Sequence, residues 1–283
     1  MTINTDLVGK VYGPYETQYD LNDLLAFGVG SGAAQDGKTD LDWAFEKDLK
    51  VNPVFLATID ASDKVTEDIN FGFNWDGVLH WGIDMKFHHP FVKKAGKLTT
   101  NITLTGLYDR GEGRGCLAQK TGETFDEDGN KLLTIDNWDI CLYDGGFGGP
   151  KAPQDIVEMP DRAPDFEFDD HLNLNSALVF RLIGIYHHLH ADWEYAKEFG
   201  YEKPFYMGLG LAGLAFRHIT NQFMGRRPER MKRFKLRFTG VSYPGMDVRT
   251  QVWEMPDQSV RFRVVDANNP ETILLNFALA EWQ

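Results

Sequence analysis

Seventeen residues, Gly208 to Met224 (GLGLAGLAFRHITNQFM), constrain this chain more than any others, because they are apolar on most faces until Arg217. A helix that is hydrophobic all round has to be buried, so the segment predicts a helix enclosed by other structure. Its glycines lower helix propensity but let neighbouring backbone approach closely. Four strand-like runs follow, Phe234–Val241, Asp247–Glu254, Ser259–Val265 and Thr272–Trp282, separated by the turn signals YPG, MPDQ and ANNPE. A buried helix followed by an antiparallel meander is an α+β pattern.

The first half repeats the theme less cleanly. Leu21–Val29 and Val54–Ile59 are helix candidates, and Lys97–Tyr108, Gly115–Thr121 and Lys131–Tyr143 read as strands. Two similar units in tandem predict an internal duplication. Between them lies Pro150–Leu172, with four of the twelve prolines and a net charge of −5. Proline fixes φ and removes donors while like charges repel, so an extended linker is expected. The expected organisation is residues 1–150 as the first unit, 151–172 as linker and 173–283 as the second.

Charge narrows the partner. The whole chain carries −13, which disfavours a nucleic-acid phosphate backbone. One segment departs from this: Arg217, Arg226, Arg227, Arg230, Lys232, Arg233, Lys235 and Arg237 face only Glu229 within 21 residues, a net +7. Two readings stand, a solvated basic surface and a site for a small anion, to which arginine offers bidentate contacts. No apolar run is long enough for a membrane span, and the start MTINTDLVGK lacks the pattern of a secretory leader. Cys116 and Cys141 are too few for a disulfide framework. These features, with an ending AEWQ that is no peroxisomal address, predict a cytoplasmic protein without membrane or nucleic-acid partners. A homodimer is compatible with them.

Six stretches resemble the MaoC-like, type 2 enoyl-CoA hydratase family in order and spacing: LLAFGVGSGA (24–33), AGKL (95–98), DGGFGG (144–149), FRLIGIYHHLHAD (180–192), FGYEKPFYMGLGLAG (199–213) and VSYPGMDV (241–248). The resemblance implies a double hot-dog fold, two sheets each wrapped around a helix, with one acyl-thioester site. In that family an Asp and a His hold the water that adds to, or leaves, the β-carbon, and a backbone N–H at the start of the central helix stabilises the thioester oxygen. The resemblance makes His190 the acid/base and Gly208 the oxyanion donor, with no cofactor. By position it assigns His80, Trp81, Arg110 and Phe238 to the substrate channel.

The family motif Gly-Asp-x-Asn-Pro-Leu-His is altered here. Ile185 stands at the Asp position, His187 at the Asn and His188 at the Pro, while Met207 replaces the histidine before Gly208 and Phe180 a common tyrosine. Isoleucine cannot take a proton. Hydration with His187 as helper to His190, an isomerase or cyclase that needs no positioned water, and a non-catalytic acyl-binding role therefore all remain open. Asp192 and Glu194 are the carboxylates nearest His190 in sequence and are candidates for the missing Asp. A metal is not expected: in an extended segment His188 and His190 share a face that His187 does not, and no cysteine completes a set. His88 and His89 read as a strand-end pair, and no nucleophile elbow or phosphate loop is present.

Overall fold

The computed structural model describes residues 3–61, 64–66 and 69–283. The chain runs through β1 (Val11–Tyr19), α1 (Leu21–Gly30), β2 (Val78–Phe87), β3 (Gly96–Asp109), β4 (Cys116–Asp126) and β5 (Lys131–Cys141). Then come β6 (Phe166–His171), α2 (Ser176–Arg181), α3 (Trp193–Glu198), α4 (Gly208–Phe223), β7 (Met231–Phe238), β8 (Asp247–Met255), β9 (Ser259–Asp266) and β10 (Ile273–Trp282). These strands form one antiparallel sheet in the order β1-β3-β4-β5-β2-β7-β10-β9-β8-β6. The two halves have the same order, edge strand outermost and β2 or β7 innermost, so the duplication read from sequence is present in the topology.

The helix expected at the second half's centre is α4, whose residues from Gly210 to Thr220 are all buried. Its Leu214 and Phe216 share one core with Phe27 of α1, Ile83 and Met85 of β2, Phe234 of β7 and Phe262 of β9. Fully burying each such side chain stabilises the fold by about 1.5–3 kcal/mol. A shared core makes the halves one folding unit. The join is covalent-like in regularity: Gly82 to Lys86 of β2 pairs with Arg237 to Arg233 of β7. There Arg233 grips the buried Asp84 with two bonds of 2.9 and 2.7 Å.

Some expectations change. Val54–Ile59 is not an α-helix; Pro53–Thr58 forms a 3-10 stretch in which Val54, Phe55, Leu56 and Ala57 are all buried. Asn52 explains this, accepting from Val54 N–H while its amide donates to the Gly213 carbonyl of α4 at 3.0 Å. The stretch 150–165 has no helix or strand, as expected of a linker, but residues 166–171 are β6, paired to β8. Its like charges do not repel one another because each finds a partner: Asp169 takes Arg249, Glu167 takes Gln251, and Asp170 takes Arg217. Strands β1 and β2 fall outside the strand-like runs of the sequence. No helix among the described residues is long and apolar enough to cross a membrane.

Candidate active site

The altered motif lies between two short helices. After α2 the chain turns through Gly184 at φ +99°, a left-handed conformation that favours glycine, and reaches a 3-10 turn at His188–His190. Asp192 then caps α3, its carboxylate accepting from Glu194 N–H at 3.0 Å and Tyr195 N–H at 3.1 Å. Its other oxygen is 3.9 Å from His188, and Glu194 pairs with Lys197. Neither carboxylate is bonded to His190; Asp192 is engaged in capping α3 and Glu194 with Lys197.

His190 is laced to the run-in of α4. Its Nδ1 lies 2.9 Å from the Phe205 carbonyl oxygen, and Phe205 N–H donates back to Leu189 O at 3.2 Å. A carbonyl only accepts, so Nδ1 carries the proton and Nε2 holds a lone pair. Burial pushes the pKa down to about 4, the Phe205 carbonyl opposing and His187 and Arg181 adding to the fall. The ring is therefore a neutral base near pH 7. His187 is exposed, its ring centroid 5.9 Å from that of His190, and its Nδ1 accepts from Leu189 N–H at 3.3 Å. Arg181 holds this turn by donating to the His187 carbonyl at 2.6 Å.

Three residues beyond Phe205, α4 begins. Met207 is its N-cap, buried and with no side-chain cap bond, while Gly210 and Leu211 N–H already reach back to the Met207 carbonyl. The N–H groups of Gly208 and Leu209 thus sit at the positive end of a 16-residue helix, where helix geometry supplies no acceptor. Gly208 is required there by Phe238: a Cβ at 208 would meet the Phe238 ring at 2.5 Å. The same ring lies 4.7 Å from His80, so β2, β7 and α4 bring His80, Phe238 and Gly208 together. Ile185 is half-buried and packs on the main core, which leaves the former acid position apolar.

Two expected channel residues do not join this group. His80 pairs with Asp139 and Gly82 with Trp138, so Trp81 is an extra, bulged residue in β2. The bulge turns its indole to the sheet face away from α4, against Trp138 and Arg237. Arg110 is exposed at the end of β3, which lies three strands from β2, about 14 Å at ordinary strand spacing. Phe205 carries no signal in the sequence, because it acts through its backbone carbonyl.

The basic run is not a free anion patch. Arg217 bonds Asp40 and Asp170, Arg226 bonds Asp40 and Asp42, and Arg227 bonds Glu229. Arg233 takes Asp84, Lys235 takes Asp155, and Arg230 donates to the Gln283 carbonyl. Long-range pairing has absorbed most of the charge. Two surface recesses, one around His88, His89 and Pro53 and one around Met255 and Arg261, include none of His190, Gly208 and Phe238. Among the described residues no group of three or more His, Cys, Asp or Glu could hold a metal ion.

A duplicated helix-in-sheet unit, with the central helix's amino end beside the motif, defines the double hot-dog class. A profile described as "MaoC like domain" matches residues 155–273. The chain is 31% identical over 262 residues to the probable enoyl-CoA hydratase 2 of Dictyostelium discoideum, covering 88% of this chain and 86% of that one. It is 26% identical over 257 residues to the peroxisomal multifunctional enzyme type 2 of Mus musculus, covering 87% of this chain but 34% of that protein, so it spans about a third of that relative. A crystal structure of a MaoC-like dehydratase from Phytophthora capsici superposes with TM-score 0.86 at 24% identity, over 99% of this chain and 98% of that one. The chain belongs to the MaoC-like dehydratase family.

Proposed function

We propose that the protein is a hydro-lyase that adds or removes water at the β-carbon of an enoyl or 3-hydroxyacyl thioester. The observation that carries this is the tautomer of His190: with Nδ1–H committed to the carbonyl of Phe205, three residues before α4 begins, Nε2 is a neutral base. The names of the relatives, enoyl-CoA hydratase 2 among them, supply the substrate class.

In the dehydration direction Nε2 takes the α-proton of a 3-hydroxyacyl thioester. The electron pair moves onto the thioester oxygen, which Gly208 N–H and the helix end stabilise. The C–O bond then breaks, and the same Nε2–H returns its proton to the departing hydroxide, giving water and a 2-enoyl thioester. With no carboxylate bonded to His190, one imidazole serves both transfers, so the elimination is syn. His187 is near enough to relay a proton through one water. The isomerase reading draws on Ile185: removing an α-proton and returning it elsewhere on the substrate needs the base alone.

Crotonyl-CoA hydration measured on wild type and His190→Ala tests the assignment. Removing a general base lowers turnover by about 100-fold or more. Equal turnover by the two proteins rules it out. An Ile185→Asp variant that acquires hydration absent from wild type favours the isomerase reading.

A further inference from the structure

We propose a second binding site on the outer face of the sheet, where Arg237, Trp81 and Trp138 take a small aromatic anion of the nucleoside monophosphate kind. It does not depend on the chemistry of His190. The β2 bulge that removes Trp81 from the channel delivers it here, its indole 4.0 Å beneath the Arg237 guanidinium, with Phe277 of β10 at 5.8 Å. Opposite Arg237 in register is Gly82, where a Cβ would lie 3.4 Å from Arg237 Cγ and 2.7 Å from Leu236 O. The absent side chain lets the arginine lie across β2. Glycine, bulge and indole together hold the guanidinium in one place.

Arg237, like Lys232, has no bonded carboxylate among the described residues, and within the basic run it is the cation stacked on an indole. Asp155 acts on it electrostatically, but that carboxylate is held by Lys235 Nζ at 2.5 Å. Half-burial without an anion holds the Arg237 pKa below its usual value, so the site gains from a bound negative group. A guanidinium whose face is stacked still presents N–H donors at its edge, in the fork geometry that fits phosphate or carboxylate.

The aromatic half of the site extends from there. Trp138 lies 6.0 Å from Trp81, and Tyr108 stacks 5.6 Å beyond it at 24°. All of these side chains are half-buried and so remain within reach of solvent. The span from the guanidinium to the Trp138 ring is at most about 10 Å, the reach of a nucleoside monophosphate from phosphate to base. Charge sets the orientation. At the far end burial raises the Tyr108 phenol's pKa and the negative charge of Asp136 adds to it, so the anion belongs at Arg237 and the ring over the tryptophans.

Titration of the full-length protein with 5′-AMP, followed by tryptophan fluorescence and calorimetry, tests this against adenosine and inorganic phosphate. AMP is expected to bind at least about tenfold more tightly than either fragment, because ring and anion contacts add. Arg237→Met should weaken AMP at least tenfold while leaving adenosine unchanged, and Trp138→Leu should weaken AMP and adenosine alike. Saturation absent in the wild-type protein at about 10 mM AMP overturns the site without any variant. So does phosphate binding as tightly as AMP, or an AMP affinity unaltered in a folded Arg237→Met protein.

Discussion

The contact between Gly208 and Phe238 gives a sharp energetic expectation. In Gly208→Ala the new methyl falls 2.5 Å from two ring carbons of Phe238, about 1 Å inside an ordinary carbon–carbon contact. Phe238 is held between the helix start and the His80 ring at 4.7 Å, so the ring cannot simply swing away. Overpacking of this kind costs about 1–3 kcal/mol, and replacing glycine in a helix recovers about 0.5–1 kcal/mol. The net destabilisation should be about 1–2 kcal/mol. Urea unfolding reads it as a lower midpoint at unchanged slope. Phe238→Leu removes the obstacle, so a double-mutant cycle should return a favourable coupling of about 1 kcal/mol between alanine at 208 and leucine at 238. A Gly208→Ala protein as stable as wild type, or a cycle with no coupling, would refute the idea that this ring dictates glycine at the helix start.

Two further outcomes follow from the buried charges. Arg217→Met should destabilise by about 2–4 kcal/mol, below the full cost of breaking a buried pair. The discount arises because Asp40 keeps Arg226 and Asn221, and Asp170 keeps Gln35 and His218; calorimetric unfolding measures it, and a loss under 1 kcal/mol would show that these partners suffice. The second outcome concerns pH. His190 is neutral in the fold down to about 4, whereas an unfolded histidine takes up its proton near 6.5. Between those values the unfolded state binds more protons, so stability falls as pH drops from about 6.5 to 4. The ceiling is about 3 kcal/mol, lowered to roughly 1–2 by partial exposure of the ring. A His190 Hε1 resonance titrating above pH 6 would contradict this.

What could be read in the sequence was whatever short-range chemistry writes into consecutive residues. The apolar run from Gly208 marked α4, the alternation in VRFRVV marked β9, and turns punctuated the meander. The strands least visible in the sequence include both edges of the sheet: β1 contains Pro14, and β6 carries three acids in its six residues. Edge strands tolerate proline and charge because one side of their backbone needs no partner. Propensity therefore says least about them.

The site divided along the same line. The sequence by itself determined that His190 and Gly208 are present and that the acid position is isoleucine, since identity is fixed residue by residue. Only the tertiary structure decided that a Phe205 carbonyl sets the imidazole's tautomer, that a bulge turns Trp81 to the opposite face, and that six of eight clustered cations already hold acceptors from distant or neighbouring segments. Arg217 and Asp40 are 177 residues apart, and Arg233 and Asp84 are 149 apart. Coulombic and hydrogen-bond partners are chosen by proximity in space after register is set, and no local pattern along the chain encodes that choice.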